Sequence, residues 1–260
     1  MKKYIGLDKS HEGITILSLK RPSAANALST PLLKEMQETL KDLAYDASCR
    51  VLIICGEGEK VFCAGADLKE RAEMNHTEVR KTVSLIKETI NQLDNIPKPV
   101  IAAMNGSALG GGLELALACD FRITSSSGKY GLPETSLAII PGGGGTQRLP
   151  LLIGKAKAKE LIFTARKING KEAVDLGIAE YVENSENVLN KALELAAEIT
   201  RNGPVAVSAA KTAINGGVDT GLSAGLVMEE KCYEATISTE DRLEGLKAFK
   251  EKRTPIYTGK

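Results

Sequence analysis

Apolar and polar positions along the chain switch repeatedly between two periods. Ile14 to Leu19, Val51 to Cys55 and Val100 to Met104 are short runs with almost no polar interruption, the pattern of strands covered on both faces. Tyr4 to Leu7 predicts another strand, joined to Ile14–Leu19 by a turn at Ser10–Gly13. Thr30 is placed to N-cap a helix with Pro31 at its first position, and through Ala44 that helix puts Leu32, Leu33, Met36, Leu40 and Leu43 on one face. A second long helix is predicted from about Thr77 to Leu93, where Val79, Val83, Ile86, Ile90 and Leu93 recur at helical spacing. Phe121 to Thr124 and Tyr130 to Leu132 read as two further short strands. Residues 1–132 therefore alternate strands with helices, which predicts an α/β core. From 146 onward helical patterns dominate, over about 146–163, 170–176, 186–200, 204–214, 221–237 and 239–250. Both termini read as frayed, and no low-complexity linker divides the chain.

One stretch organises the rest: Asn105 to Phe121, NGSALGGGLELALACDF. It follows the buried run at Val100, whose approach is kept extended by Pro97 and Pro99. Gly106, Gly110, Gly111 and Gly112 come next, then strong helix formers from Leu113 to Ala118. A strand, a glycine turn and a helix start aim unpaired N–H groups at one point, and glycine lets another group approach that backbone closely. The stretch can thus bind an anion, or an oxygen that becomes one. Glu114 sits in the first helical turn inside an apolar run. It is either a favourable charge at a helix start or an acid or base with its pKa tuned by burial.

Composition narrows the function. A net charge of +1 over 260 residues exerts no bulk pull toward nucleic acid or anionic membrane. Tryptophan is absent and aromatics are few, which argues against platforms for stacking bases. Four of the cysteines, Cys49, Cys55, Cys63 and Cys119, lie in or beside apolar runs, and with Cys232 the count is odd and lacks CxxC spacing. This predicts free thiols in a reducing compartment. The N-terminal residues lack the apolar core of a signal peptide, so the expected location is cytoplasmic. The glycines and charges of Val100–Phe121 argue against a membrane span.

Several motifs fail on inspection. No glycine cluster gives GxGxxG, and PGGGGTQR lacks the ending of a phosphate-binding P-loop. Gly221 to Gly225 matches GxSxG, but it lies in a helical pattern, and the only histidines, His11 and His76, precede it and read as surface loop residues. No His, Cys or carboxylate spacing of the usual metal-binding kinds occurs, so no metal is expected.

VFCAGADLKE, IAAMNGSALGGGLELALACD and GLPETSLAIIPGGGGTQRL, in that order, resemble the crotonase (enoyl-CoA hydratase) superfamily over nearly the whole chain. The C-terminal run MEEKCYEATISTEDRLEGLKAFKEKRTP looks most like the methylglutaconyl-CoA hydratase branch. The resemblance implies an α/β spiral of ββα units over 1–200, holding the coenzyme A site and the catalytic residues. It implies a helical region over 201–260 used in trimerisation, the trimers often pairing into hexamers. The activity implied is reversible addition of water across the 2,3 double bond of a short or branched 2-enoyl-CoA, in fatty acid or leucine breakdown. An isomerase or decarboxylase of the same fold is the nearer alternative, and an RNA-binding protein with residual activity the farther one. No cofactor is implied, because coenzyme A is part of the substrate.

By the same resemblance, the backbone N–H groups of Ala66 and Gly111 form an oxyanion hole, in which one donor is typically worth about 3–4 kcal/mol. Glu114 positions and deprotonates the water, and Glu134 protonates the α-carbon, the two titrating as a unit. The Gly142 amide helps hold the neighbourhood of Glu134 and the water, while Pro133 and Leu137 border the acyl group. The loop residues Ala64, Asp67 and Leu68 hold the adenine, with Lys69 and Arg21 near the phosphates. Phe249 and Lys252 match residues lent by a neighbouring subunit. The RNA-binding relative has a lysine-rich helix after the first loop. Here the corresponding helix sets Glu35, Glu38, Asp42 and Asp46 against Lys34, Lys41 and Arg50, so weak or no RNA affinity is expected.

Overall fold

A computed structural model describes residues 2–260, apart from the side chain of Asp219. The chain opens with β1 (Ile5–His11) and β2 (Ile14–Leu19), then α1 (Thr30–Tyr45), β3 (Val51–Gly56), β4 (Val61–Cys63), the short α2 (Leu68–Ala72) and α3 (His76–Asp94). Next come β5 (Val100–Met104), β6 (Ser107–Leu109), α4 (Gly111–Leu117), β7 (Phe121–Ser125) and β8 (Lys129–Gly131). The remainder is α5 (Gly145–Thr164), β9 (Ile168–Asn169), α6 (Gly170–Asp175), β10 (Tyr181–Glu183), α7 (Val188–Thr200), α8 (Pro204–Gly217), α9 (Leu222–Ile237) and α10 (Glu240–Glu251). This is the α/β crotonase fold, with two mixed sheets and a helical C-terminal region.

The larger sheet runs β1-β2-β3-β5-β7-β10, parallel except for the β1–β2 pair. Its central strands are apolar at every position because both faces are covered. Leu52, Ile54, Val100 and Ala102 point into one cluster, which takes the buried stripes of α1 and α3. Val51, Ile53, Ile101 and Ala103 point into the other, closed by Val188, Ala192 and Ala196 of α7. The strand period of two thus deals alternate apolar side chains to opposite layers. The two alanines let α7 lie close against the sheet.

The smaller sheet runs β4-β6-β8-β9, and its three-residue strands β4 and β6 are absent from the hydrophobic pattern. Strands β4, β6 and β8 are mutually parallel, with Cys63 opposite Ala108 and Ala108 opposite Tyr130. Their C-terminal ends therefore lie side by side, and the three loops that follow share one edge.

Other boundaries differ from expectation for local reasons. Ser29, not Thr30, caps α1, its hydroxyl accepting from the Leu32 amide at 3.4 Å. The first hairpin turns at Glu12–Gly13, with Gly13 at φ 72°, so His11 ends a strand. His76 opens α3 behind a capping box of Asn75 and Glu78. Both histidines are exposed, but neither is a loop residue. Helix α5 bends at Gly154, where φ is 75°.

The described ends of the chain are tied down rather than frayed, Met1 lying outside the described residues. The amides of Lys3 and Tyr4 donate to the Glu35 carboxylate at 3.1 and 2.7 Å. At the other end, the buried Asp241 carboxylate accepts from the amides of Thr258 and Gly259 at 2.7 and 2.8 Å, while Arg50 donates to the Tyr257 carbonyl. Ser223 of the GxSxG match lies within α9, not on a strand-to-helix elbow. No helix among the described residues is long and apolar enough to cross a membrane.

Candidate active site

The three loops leaving β4, β6 and β8 enclose a cavity of about 710 Å³. From β4 the chain bends through Ala64, Gly65 and Ala66 into α2. Gly65 has φ 94°, and a methyl group there would lie 2.7 Å from the Leu109 carbonyl oxygen and 3.0 Å from the Gly111 nitrogen. From β6 the chain turns at Gly110, with φ 53°, directly into α4. The Ala66 nitrogen lies 3.5 Å from where a Cβ on Gly111 would stand. The two bends therefore bring these amides together at the cavity wall, at positions where L side chains other than the smallest would collide. Among the described residues neither amide donates to a protein acceptor, which leaves both for an oxygen bound in the cavity.

Glu114 is one turn into α4 and 2% exposed. Its Oε1 accepts from the amides of Gly143 and Gly145 at 2.8 and 2.7 Å. Burial pushes its pKa above the ordinary carboxyl value, opposed by those amides and by the charge of Arg148. Arg148 fixes the glycine loop in turn, donating to the Gly143 carbonyl at 3.1 Å and pairing with Asp94 at 2.7 Å. The amides of Gly143 and Gly145 thus serve Glu114, and among the described residues no amide of the loop donates to Glu134. Gly142 lines the cavity, but the donors sit one and three residues farther on. Gly144, at φ 113°, makes the turn that points both inward.

Glu134 follows β8 and Pro133 in a short 3-10 turn. Its Oε2 is buried without a hydrogen bond from the protein. Burial raises its pKa to about 7, with the charge of Glu114 a smaller push in the same direction. A methyl group on Gly110 would come within 2.8 Å of Glu134 Oε1, so the turn that frees the Gly111 amide also makes room for the second acid. One carboxyl held by two loop amides and another whose buried Oε2 has no partner, its own amide only partly opposing burial, is an arrangement that separates a base from an acid.

Of the other expected contacts, Ala64, Leu68, Pro133, Leu137 and Gly142 line the cavity. Arg21, Asp67 and Lys69 do not. Arg21 spends its guanidinium on Asp67 at 2.9 Å and the Ala27 carbonyl at 2.7 Å. Asp67 caps α2 through the amides of Lys69 and Glu70. Partial burial raises the Asp67 carboxyl, but the Glu70 amide and Arg21 outweigh it and its pKa ends below the usual range. These two residues shape the bend that carries the Ala66 amide. Phe249 and Lys252 lie exposed on α10 and its C-cap, outside the cavity. Gly143, Gly145 and Arg71 went unnoticed in the sequence, the glycines for want of any side chain to mark them. No metal-binding cluster of His, Cys, Asp and Glu occurs among the described residues.

Known proteins share both the sequence and the fold of this chain. Residues 9–260 match the family described as enoyl-CoA hydratase/isomerase. YngF of Bacillus subtilis (strain 168), which carries the same family description, is 54% identical over 249 residues, 96% of each chain. The mitochondrial methylglutaconyl-CoA hydratase of Mus musculus is 54% identical over 257 residues, 97% of this chain and 82% of that one. The 1.8 Å crystal structure of an enoyl-CoA hydratase from Bacillus anthracis superposes with a TM-score of 0.98 at 53% identity, covering 99% of this chain and 100% of the other. With the family match spanning all but the first residues, this chain belongs to the enoyl-CoA hydratase/isomerase family.

Proposed function

We propose that the protein adds water reversibly across the 2,3 double bond of short or branched 2-enoyl-CoA thioesters, 3-methylglutaconyl-CoA among them. The observation that carries this reading is the cavity itself: two acids in different environments face the space beside two free amides. The thioester oxygen accepts from the amides of Ala66 and Gly111, which stabilise the negative charge that grows on it. Glu114 takes a proton from water as the oxygen bonds to the β-carbon. Glu134 gives its proton to the α-carbon, and exchange with solvent resets both carboxyls. Coenzyme A supplies binding energy away from the reacting carbons, with Ala64 and Leu68 at the cavity mouth and Lys69 and Arg21 nearer the phosphates. Retention of both acids disfavours an isomerase or decarboxylase, whose chemistry needs no activated water.

Steady-state rates over a panel of enoyl-CoA esters test this reading. Hydration of at least one short ester is expected at a kcat above 1 s⁻¹, in the common range of roughly 1–1000 s⁻¹. A panel turned over only as isomerisation or decarboxylation would sink it. Because the acid must be protonated in the free enzyme, kcat/KM for hydration is expected to fall as pH rises through about 7, the value to which burial lifts Glu134. That limb should vanish in Glu134→Gln.

We also propose that residues 1–200 form the catalytic unit and that 201–260 drive assembly into trimers or hexamers. In support, Leu222, Leu226, Val227 and Tyr233 of α9 and Phe249 of α10 leave apolar surface exposed. Such a patch on an isolated chain marks an interface, and it would bring Phe249 and Lys252 to a neighbour's coenzyme. Light scattering that returned a monomer at micromolar concentration would refute the assembly.

A further inference from the structure

Gly143 is gripped from two sides. Its amide donates to Glu114 Oε1 at 2.8 Å, and its carbonyl accepts from Arg148 Nη1 at 3.1 Å. The guanidinium also lies against Gly144, where a Cβ would stand 2.2 Å from Nη1. That close approach holds the turn that sends the amides of Gly143 and Gly145 to one carboxylate oxygen. Behind the loop, the last turn of α3 receives the rest of the arginine fork. Nε and Nη2 donate to Asp94 Oδ2 at 3.1 and 2.7 Å, and Nη2 also donates to Asn91 Oδ1 at 2.9 Å. The arginine side chain is 17% exposed and that of Asp94 36%. Arg148 is not among the residues lining the cavity, so it acts on Glu114 through the loop and through its charge.

Two demands on a general base conflict here. It must be held in place, yet each amide or cation brought near makes its carboxylate a weaker base. The charged groups facing Glu114 are Glu134 after β8, Arg71 of α2 across the cavity, and Arg148 of α5 with Asp94 of α3 behind it. Cys63 of β4 stays a neutral thiol, burial raising its pKa to about 12, and β6 carries no titratable residue. A guanidinium gripping the loop alone would stand as an unbalanced charge beside the base. We propose that Arg148 and Asp94 are a positioning pair for Glu114: the arginine holds the glycine loop that aims two amides at the carboxylate, and the aspartate fixes the arginine and balances its charge, so that Glu114 keeps the strength to take a proton from water. The proposal rests on the hydratase reading of the same site and names what governs its base.

The test follows crotonyl-CoA hydration against pH in the intact wild type, Arg148→Met, Arg148→Lys and Asp94→Asn. Arg148→Met is expected to lower kcat by up to about 100-fold, the scale of a small misplacement of a reacting group, with KM little changed. Because a cation is gone, the rise of kcat/KM with pH should also move to higher pH. Asp94→Asn keeps an acceptor for the fork and removes the counter-charge, so it should retain most of kcat and move that rise to lower pH. Arg148→Lys keeps the charge without the fork, so kcat should fall while the rise stays near its wild-type position. Opposite displacements set a positioning pair apart from a brace, whose loss lowers kcat and melting temperature without moving the rise. Rises that coincide in all four proteins, or that move the same way in Arg148→Met and Asp94→Asn, would overturn the proposal. Should Arg148→Met fail to fold, Asp94→Asn decides by whether its rise moves down. Infrared titration of the Glu114 carboxyl, identified by its loss in Glu114→Gln, reads the same displacements without turnover. Opposite displacements there, with no enoyl ester hydrated, would support the pair's role while refuting the hydratase reading.

Discussion

Glu134→Gln is expected to cut kcat for enoyl-CoA hydration by about 100-fold or more, the usual loss for a positioned proton donor, and to stabilise the protein above pH 7. The two effects share a cause. Burial lifts the folded pKa of Glu134 from the ordinary 4.5 to about 7. A raised folded pKa gives stability that is full below the unfolded value and is lost as pH climbs through the folded one. At pH 8 the native protein therefore holds an ionised carboxylate whose Oε2 accepts nothing from the protein. Glutamine keeps the shape, cannot donate that proton to carbon, and carries no charge to bury. Thermal melts of the two proteins should nearly coincide at pH 4 and separate at pH 8, the variant melting higher. Glu114→Gln should cost a comparable factor in kcat by removing the base. Full turnover of crotonyl-CoA and methylglutaconyl-CoA by both variants would show that neither acid is catalytic.

Gly112→Ala is expected to destabilise the fold by about 3 kcal/mol, the upper end for overpacking, and to lose catalysis with it. A Cβ at Gly112 would lie 2.1 Å from the Cys63 carbonyl oxygen and 2.7 Å from its carbon. These are backbone atoms of β4, so no side chain can swing aside. Either α4 lifts from β4 or the strand shifts. Gly111 is one residue before the clash and Ala66 three residues after Cys63, so either response lands on the gap between the two amides. Loss of one such donor costs about 100- to 1000-fold in kcat. Denaturant melts and crotonyl-CoA kinetics read both effects. A variant matching wild type in midpoint and kcat would mean that the close approach of α4 to β4 is not what sets the amides.

Helix α1, in the core, and α3, along the cavity, were legible because their buried stripes are long and regular. Leu32, Leu33, Met36, Leu40 and Leu43 of α1 are all buried, and Val83 and Ile86 of α3 face the cavity. Strands β4 and β6 were not legible. Three residues show no period, and Ser-Ala-Leu becomes a strand only because β4 and β8 flank it. Glu114 stood out as a charge within an apolar run, whereas Glu134 followed from the family resemblance alone. In the run PGGGG every residue offers the same amide, and the turn at Gly144 decides that those of Gly143 and Gly145 point inward. Nothing local in the sequence marks Asp241 or Glu35 as paired, because their partners, near the chain ends, lie far off in sequence.

The two free amides at the cavity wall are main-chain atoms, set by the adjoining ends of β4 and β6. Apart from proline, a substitution deletes neither amide and can only displace it, as a Cβ at Gly112 would. On the proposed reading, exchanges of the acids or the lining would redirect which acyl groups are taken and what becomes of them, while the donors to an enolate oxygen stay with the polypeptide backbone.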